Sequence, residues 1–282
     1  MSERSTGSPI RRILVAQDAS STSLAALEAA VHLARILGAE VTGLYVEDVN
    51  LLHFSRLPFA AEIGSSSGLT RRLTADTVER LFKSQARRAQ SSLAALAEDA
   101  HVRWSFKVKR GQVVAELLNA ASDADLISLG AIGWSRWNPG RLGTTTRALL
   151  DIGSRPLLLM RAALDLERAV LVLYDGTAES DAALELAVRL APAGSLAVLV
   201  PASSPPEPAE RLSEQAVRRL EQLGATGARV QRVDLTRPGT LAELARSAGF
   251  GLFIVASSSL PEDQRIRDEW LSGRACPVLI LK

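Results

Sequence analysis

Short apolar runs alternate with helical periods along the chain. "ILVAQ" is a buried-strand run, and Leu24, Leu27, Val31 and Ala34 then recur at helical spacing until Gly38 supplies a C-terminal stop. "EVTGLYVED" reads as a second strand. After the loop "GSSSG", a helix from about Thr77 to Glu98 carries Val78, Leu81, Phe82, Ala89, Leu93 and Leu96 on one face, and "VRWSFKVKRG" follows as a third strand. "VVAELLNAAS" reads as a helix, "DLISLGA" as a strand, "TTTRALLDIG" as a helix and "PLLLMR" as the last strand. Strands alternating with helices form parallel βαβ units, so the predicted fold is α/β, doubly wound, with helices on both faces of the sheet.

The second part of the chain repeats the first. "RRILVAQDASSTSLAALEAAVHLA", from Arg11, aligns without a gap on "RAVLVLYDGTAESDAALELAVRLA", from Arg168, and sets Asp18 on Asp175. Roughly half of these positions are identical, which marks an internal duplication. The ends agree too: "VVAELLNAASDADLISLGA" resembles "TLAELARSAGFGLFIVASS", and "SRPLLLM" resembles "ACPVLIL". The boundary falls in "RAALDLER", giving domains of residues 1–163 and 164–282.

Composition narrows the function classes. The chain has 282 residues, 47% hydrophobic and 23% charged, enough for each half to bury a core and far from a disordered composition. A net charge of +2 and a pI near 9.0 supply no field that would by itself hold DNA or an anionic membrane. One cysteine, Cys276, excludes an intrachain disulfide framework and reads as a small buried residue. The opening apolar segment is too short for a signal peptide and no other run spans a bilayer, so cytoplasm is the expected location. His32 lies off the first helix's apolar stripe and is expected in solvent, while His53 and His101 stand in loop-like surroundings. No histidine pair or cysteine cluster has metal-ligand spacing. Lys83, Arg87 and Arg88 read as a solvated helix face.

Three segments fall at the carboxyl edge of the first-half sheet, where ligands of such folds bind. They are "QDASS" after strand one, "YVED" ending strand two, and the segment from Gly130 that runs through Gly133 to Gly143 and the threonines 144–146. Glycines let backbone N–H groups approach phosphate oxygens, and a helix N-terminus adds unpaired donors and partial positive charge. No Gly-Lys-Ser/Thr follows, so this is not a Walker A loop. Taken alone, Asp18 reads as a turn former or helix cap, with Ser20 or Ser21 as the N-cap itself. Taken alone, the glycines read as ordinary loop residues; the spacing together with the hydroxyls favours a phosphate site.

The pattern G-x2-G-x9-G-S/T after strand four, the opening "ILVAQD" and the helix before "ADLISLG" together resemble the universal stress protein family in a tandem two-domain form. The resemblance is strong in the first half and weaker in the second. It implies two five-stranded parallel sheets of order 3-2-1-4-5 and an ATP site, with Mg²⁺ able to arrive with the phosphates. Carried over by position, Asp18 meets the adenine, aided by backbone at Ala16, Gln17 and Val46. Gly130 and Gly133 approach ribose and phosphates; Gly143, Thr144 and Thr146 cradle the phosphates, and Thr145 contributes mainly backbone. The intervening "WSRWNPGRL" departs from relatives at Pro139 and Gly140, and its Arg136 and Arg141 are candidate phosphate contacts. Trp134 and Trp137 receive no role. In the second half Ser257 stands at the position of Gly130 and no later motif glycine is in register, so one nucleotide site per chain is expected, in the first half.

Three functions fit. The leading one is an ATP-binding stress-response or regulatory module in which nucleotide orders the "GSSSG" and "WSRWNPGRL" segments and changes a surface for a protein partner. The second is a slow ATPase or phosphotransferase, although the nearest carboxylates, Glu47 and Asp48, form no convincing base and no dedicated catalysis is expected. The third is a nucleotide-independent, dimeric interaction protein. Relatives pair through the last strand, so "PLLLM" and "PVLIL" would pair within one chain as an internal pseudo-dimer, with a homodimer of whole chains left open. Neither nucleic acid nor membrane is an expected partner.

Overall fold

The computed structural model describes residues 10–18, 20–63, 70–131, 142–161, 163–202, 207–235, 243, 249–272 and 276–282. The first half runs β1 (Arg12–Gln17), α1 (Ser21–Leu37), β2 (Glu40–Asp48), α2 (Val49–Ser55), β3 (Ala61–Ile63), β4 (Thr70–Arg72), α3 (Ala75–Asp99), β5 (Trp104–Gly111), α4 (Val113–Ala121), β6 (Leu126–Gly130), α5 (Thr144–Ile152) and β7 (Leu157–Met160). The second runs β8 (Val170–Leu173), α6 (Ala178–Leu190), β9 (Leu196–Pro201), α7 (Glu207–Gln222), β10 (Arg229–Val233), β11 (Leu252–Ala256), a 3₁₀ turn (Ser257–Ser259), α8 (Gln264–Ser272) and β12 (Val278–Leu281).

Ten strands form one sheet in the order β10-β9-β8-β11-β12-β7-β6-β1-β2-β5, so each half has the expected order 3-2-1-4-5. Pairing is parallel within each half. The halves meet where β7 and β12 pair antiparallel, Leu158 opposite Leu279. The two Pro-led end strands therefore pair inside one chain. At the outer edges, β5 and β10 carry exposed Lys107, Lys109, Arg229 and Arg232, charges that discourage further strand pairing.

The alternating β-strand side chains build a core on each face of the sheet. Ile13, Val15 and Leu158 pack with α1, α3 and α6 on one face, and Leu14, Ile127 and Leu159 with α4, α5 and α8 on the other; both cores run through the two halves. Ser20 caps α1 by accepting the Ser23 N–H, and Gly38 ends it in the left-handed region at φ +68°. Cys276 is buried.

The structure also corrects several expectations. α2 and the β3–β4 hairpin are additional elements, and His53 sits in the last turn of α2 rather than in a loop. α3 is close to its predicted span, but Leu81 is 42% exposed, as Leu24 is at 43% on α1: the apolar stripes are wider than the surfaces that cover them. His32 is half-buried, and burial, followed by the charge of Arg35, lowers its pKa.

Candidate functional site

Parallel strands deliver all their carboxyl ends to one edge, and there the first half holds a cavity of about 450 Å³. β1 contributes Ala16, Gln17 and Asp18, β2 contributes Val46, β6 ends in Gly130, and Gly143 with Thr144, Thr145 and Thr146 forms the entry to α5. Nine of the ten predicted residues thus line one space. The tenth, Gly133, lies outside the described residues, as do Trp134, Arg136, Trp137, Pro139, Gly140, Arg141 and the "GSSSG" loop.

Each position has a local physical cause. Asp18 Oδ1 accepts the Ser20 N–H at 2.9 Å, Ser20 Oγ accepts the Ser23 N–H at 3.1 Å, and the Asp18 N–H donates to Ser23 Oγ at 3.4 Å. Asp18 therefore forms the turn into α1 as well as lining the cavity. Gly130 is a glycine because α1 crosses it closely: a Cβ there would lie 2.5 Å from Thr22 Oγ1 and 2.8 Å from Thr22 Cβ. Gly143 is the N-cap of α5 without a side-chain cap, so among the described residues no capping side chain occupies the first-turn donors of that helix. Thr146 is buried and its hydroxyl donates to the Gly130 carbonyl at 3.4 Å, tying α5 to the end of β6.

The cavity wall is apolar at Leu44, Leu51, Val113 and Leu117 and polar at the α5 entry and Asp18. Among the described residues the charged lining groups are Asp18 and Asp48, and Asp48 caps α2 by accepting the Asn50 N–H at 2.9 Å. Glu47 is held by Arg110 at 2.7 Å. An anion here would meet the positive end of α5 rather than a lysine or arginine of the described wall. Gln17, 7% exposed, has a buried Nε2 without a hydrogen-bond partner at this edge. Among the described residues no three His, Cys, Asp or Glu side chains converge as a metal site.

Sequence reading missed the wall formed by α3. The Tyr45 hydroxyl donates to Gln85 Oε1 at 2.6 Å, and the Phe82 ring stands edge-on to Tyr45 at a centroid distance of 6.4 Å. Burial, then the Glu47 and Asp18 carboxylates, push the Tyr45 pKa up to about 12, so this hydroxyl is a neutral donor. The signal was present: Gln85 interrupts the buried stripe Val78, Phe82, Ala89 at helical spacing.

In the second half the described residues at the same edge bond one another. Asp175 Oδ1 accepts the Thr177 N–H at 3.0 Å and the Thr177 hydroxyl at 2.6 Å, repeating the Asp18 turn, while its Oδ2 accepts the Ser259 hydroxyl at 2.5 Å. Fully buried Tyr174 takes the place of Gln17 and donates to Asp181 at 3.1 Å. Gly176, at φ +83°, lies under Leu212 of α7.

Comparison with known proteins agrees with this architecture. A universal stress protein from Archaeoglobus fulgidus superposes with a TM-score of 0.71 at 16% identity, over 96% of this chain and 98% of that one. A putative universal stress protein from Pseudomonas aeruginosa UCBPP-PA14 gives 0.62 at 15% identity, over 97% and 93%, and a functionally unknown protein from Pseudomonas aeruginosa PAO1 gives 0.60 at 14%, over 97% and 92%. At these identities the likeness is one of fold. No curated protein matches the chain. Among the described residues no helix is long and apolar enough to cross a membrane. The sequence model of the universal stress protein family matches residues 9–161, more than half of the 282, and the chain belongs to that family.

Proposed function

We propose that this chain is a nucleotide-binding regulatory module of the universal stress protein family, holding one adenine nucleotide in domain 1–163 and none in domain 164–282. The observation that carries the reading is the convergence of Asp18, Val46, Gly130, Gly143 and Thr144 on one cavity that joins an apolar slot to a helix N-terminus. The volume of about 450 Å³ lies in the usual range for small-molecule sites. In this reading the base lies against Val46 and the apolar wall, near Asp18 and the backbone of Ala16 and Gln17. The ribose and phosphates pass Gly130 and Gly133 to the first turn of α5, where Gly143 and the threonines 144–146 receive them. Thr146 contributes through its backbone, since its hydroxyl is engaged by Gly130. The wall residues fit a nucleotide, and any Mg²⁺ would come with its phosphates.

Binding is favoured over dedicated catalysis because Asp18 and Asp48 both fix local backbone and Glu47 is paired with Arg110. The duplication, with Asp175 held by Ser259 where Asp18 lines the first-half cavity, supports a single site per chain. The test is to purify the protein without added nucleotide, denature it and identify released small molecules by mass spectrometry. ATP or ADP is expected from the wild type and from neither Asp18→Ala nor Gly143→Val. No released nucleotide, together with no binding of added ATP, would overturn the proposal.

A further inference from the structure

α5 begins at the cavity, and three contacts tie its later part to the second half. Arg147 Nη2 donates to Asp268 Oδ2 at 2.6 Å, and one turn later Asp151 accepts from Arg267 Nη2 at 2.6 Å. Lys282 Nζ donates to the carbonyls of Leu149 at 3.1 Å, Leu150 at 2.7 Å and Gly153. The Leu149 carbonyl also accepts the Gly153 N–H at 3.0 Å, whereas those of Leu150 and Gly153 lie where the helix's own donors run out. A lysine following β12 therefore caps α5, while α8 grips its side.

The contacts follow the pseudo-two-fold axis of the chain. Aligning Pro156 with Pro277 makes Leu158 equivalent to Leu279, and these two residues face each other across the β7–β12 pair. The same offset makes Arg147 equivalent to Asp268. A junction of two identical halves would set like charges together at this place; here the repeat has diverged to a complementary pair. Asp268 is 4% exposed, yet among the described residues its Oδ1 and the Arg147 Nε have no hydrogen-bond partner. A buried ion pair left partly unsatisfied is a poor source of stability compared with an apolar pair, so its effect is to fix how α5 sits.

We propose that the second half is a positioning clamp for the ligand site: Asp268, through Arg147, and Lys282, through the α5 carbonyls, set the placement of the α5 first turn and with it the affinity of the first-half cavity for a phosphate-bearing ligand. The inference rests on the nucleotide reading above. Its mechanical basis is that Arg147 follows Thr146 directly, and its N–H closes the first helical bond onto the Gly143 carbonyl at 3.0 Å. A rotation of α5 that releases Asp268 carries Gly143, Thr144 and Thr145 with it. Linkage makes the effect reciprocal: ligand at the cavity tightens the α5–α8 junction by the same factor.

The experiment is calorimetric titration of ATP into the full chain. Compared with wild type, Asp268→Ala and Lys282→Met should each weaken Kd by about tenfold at unchanged stoichiometry, within the usual range of coupling between sites. The reversed pair Arg147→Asp/Asp268→Arg should bind within about threefold of wild type, and Glu210→Gln, which breaks the remote Glu210–Arg232 pair, should leave Kd unchanged. Lys282→Met decides the matter if Asp268→Ala does not fold. Wild-type affinity in Asp268→Ala and Lys282→Met would overturn the clamp and leave the nucleotide site standing. Equal weakening in Glu210→Gln, or no recovery in the reversed pair, would assign the loss to general damage and also overturn it. A wild type that binds no ATP would overturn both readings.

Discussion

Gly130 separates two reasons for keeping a glycine at the candidate site, and Gly130→Ala tests them. An added Cβ would stand 2.5 Å from Thr22 Oγ1, 2.8 Å from Thr22 Cβ and 3.2 Å from its carbonyl carbon. Carbon atoms in contact need about 3.5–4.0 Å, so α1 must withdraw from β6 by roughly 0.7–1 Å. The withdrawal also stretches the buried bond from Ser128 Oγ to the Ala26 carbonyl, now 2.8 Å, which ties the same helix to the same strand. Overpacking costs about 1–3 kcal/mol and a weakened buried hydrogen bond adds up to about 1, so a total near 2–3 kcal/mol is expected. For a chain of this size that lowers the thermal midpoint by roughly 4–12 °C. The assay is thermal unfolding followed by far-UV circular dichroism, with no ligand added. Thr22→Ala in the same chain should recover less than half of the loss, because it removes the hydroxyl at 2.5 Å but leaves the Cβ at 2.8 Å and the backbone carbon at 3.2 Å. A midpoint for Gly130→Ala within about 1 °C of wild type would refute the reasoning. The glycine would then serve the ligand alone.

Three further outcomes are expected. Both tyrosines have pKa values pushed up to about 12, Tyr45 by burial and then by Glu47 and Asp18, Tyr174 by burial and then by Asp181. Absorbance at 295 nm should therefore show no tyrosinate in the folded chain near pH 10–11, while in concentrated guanidinium both should titrate near 10. Because the folded values are raised, the associated stability is present below pH 10 and lost as pH rises toward 12; a folded-state titration at 10 contradicts this. For Asp175, burial raises the pKa, but the Ser259 and Thr177 hydroxyls and the Thr177 N–H outweigh it and hold the carboxyl below its usual range. Its stabilisation is present above pH 4 and is lost as pH falls through the lowered folded value, so Asp175→Asn should flatten the fall in urea midpoint between pH 5 and 3; an unchanged slope contradicts it. Leu117→Ala removes a side chain 2% exposed at the apolar wall of the cavity and should cost about 2–4 kcal/mol in urea unfolding, with a loss below about 1 kcal/mol contradicting the packing described.

Much of the fold was legible because its determinants are local. The run "ILVAQ", the stop at Gly38 and the Pro-led end strands each specify an element, and the repeat of Asp18 at Asp175 exposes the two halves. The convergence of the candidate residues on one cavity was legible for a topological reason: parallel strands carry distant segments to one edge whatever lies between them. What escaped depends on contacts across the fold. α2 has only seven residues, too few to show a period, and its cap, Asp48, reads as part of a strand. Leu24 and Leu81 have core spacing, yet they are 43% and 42% exposed. The need for glycine at Gly130 comes from Thr22, and the Tyr45–Gln85 bond joins a strand to a helix 40 residues away. Arg147 and Asp268 are separated by 121 positions and reveal their relation only when the repeat is laid over the β7–β12 pair.

The most direct test of the central claim is the stoichiometry of ATP binding to the full chain by isothermal titration calorimetry. The account predicts one ATP per chain, with the signal abolished by Gly143→Val and kept in Asp175→Asn, since Asp175 is already held by Ser259 and Thr177. Two ATP per chain, or one that survives Gly143→Val and vanishes in Asp175→Asn, would contradict it.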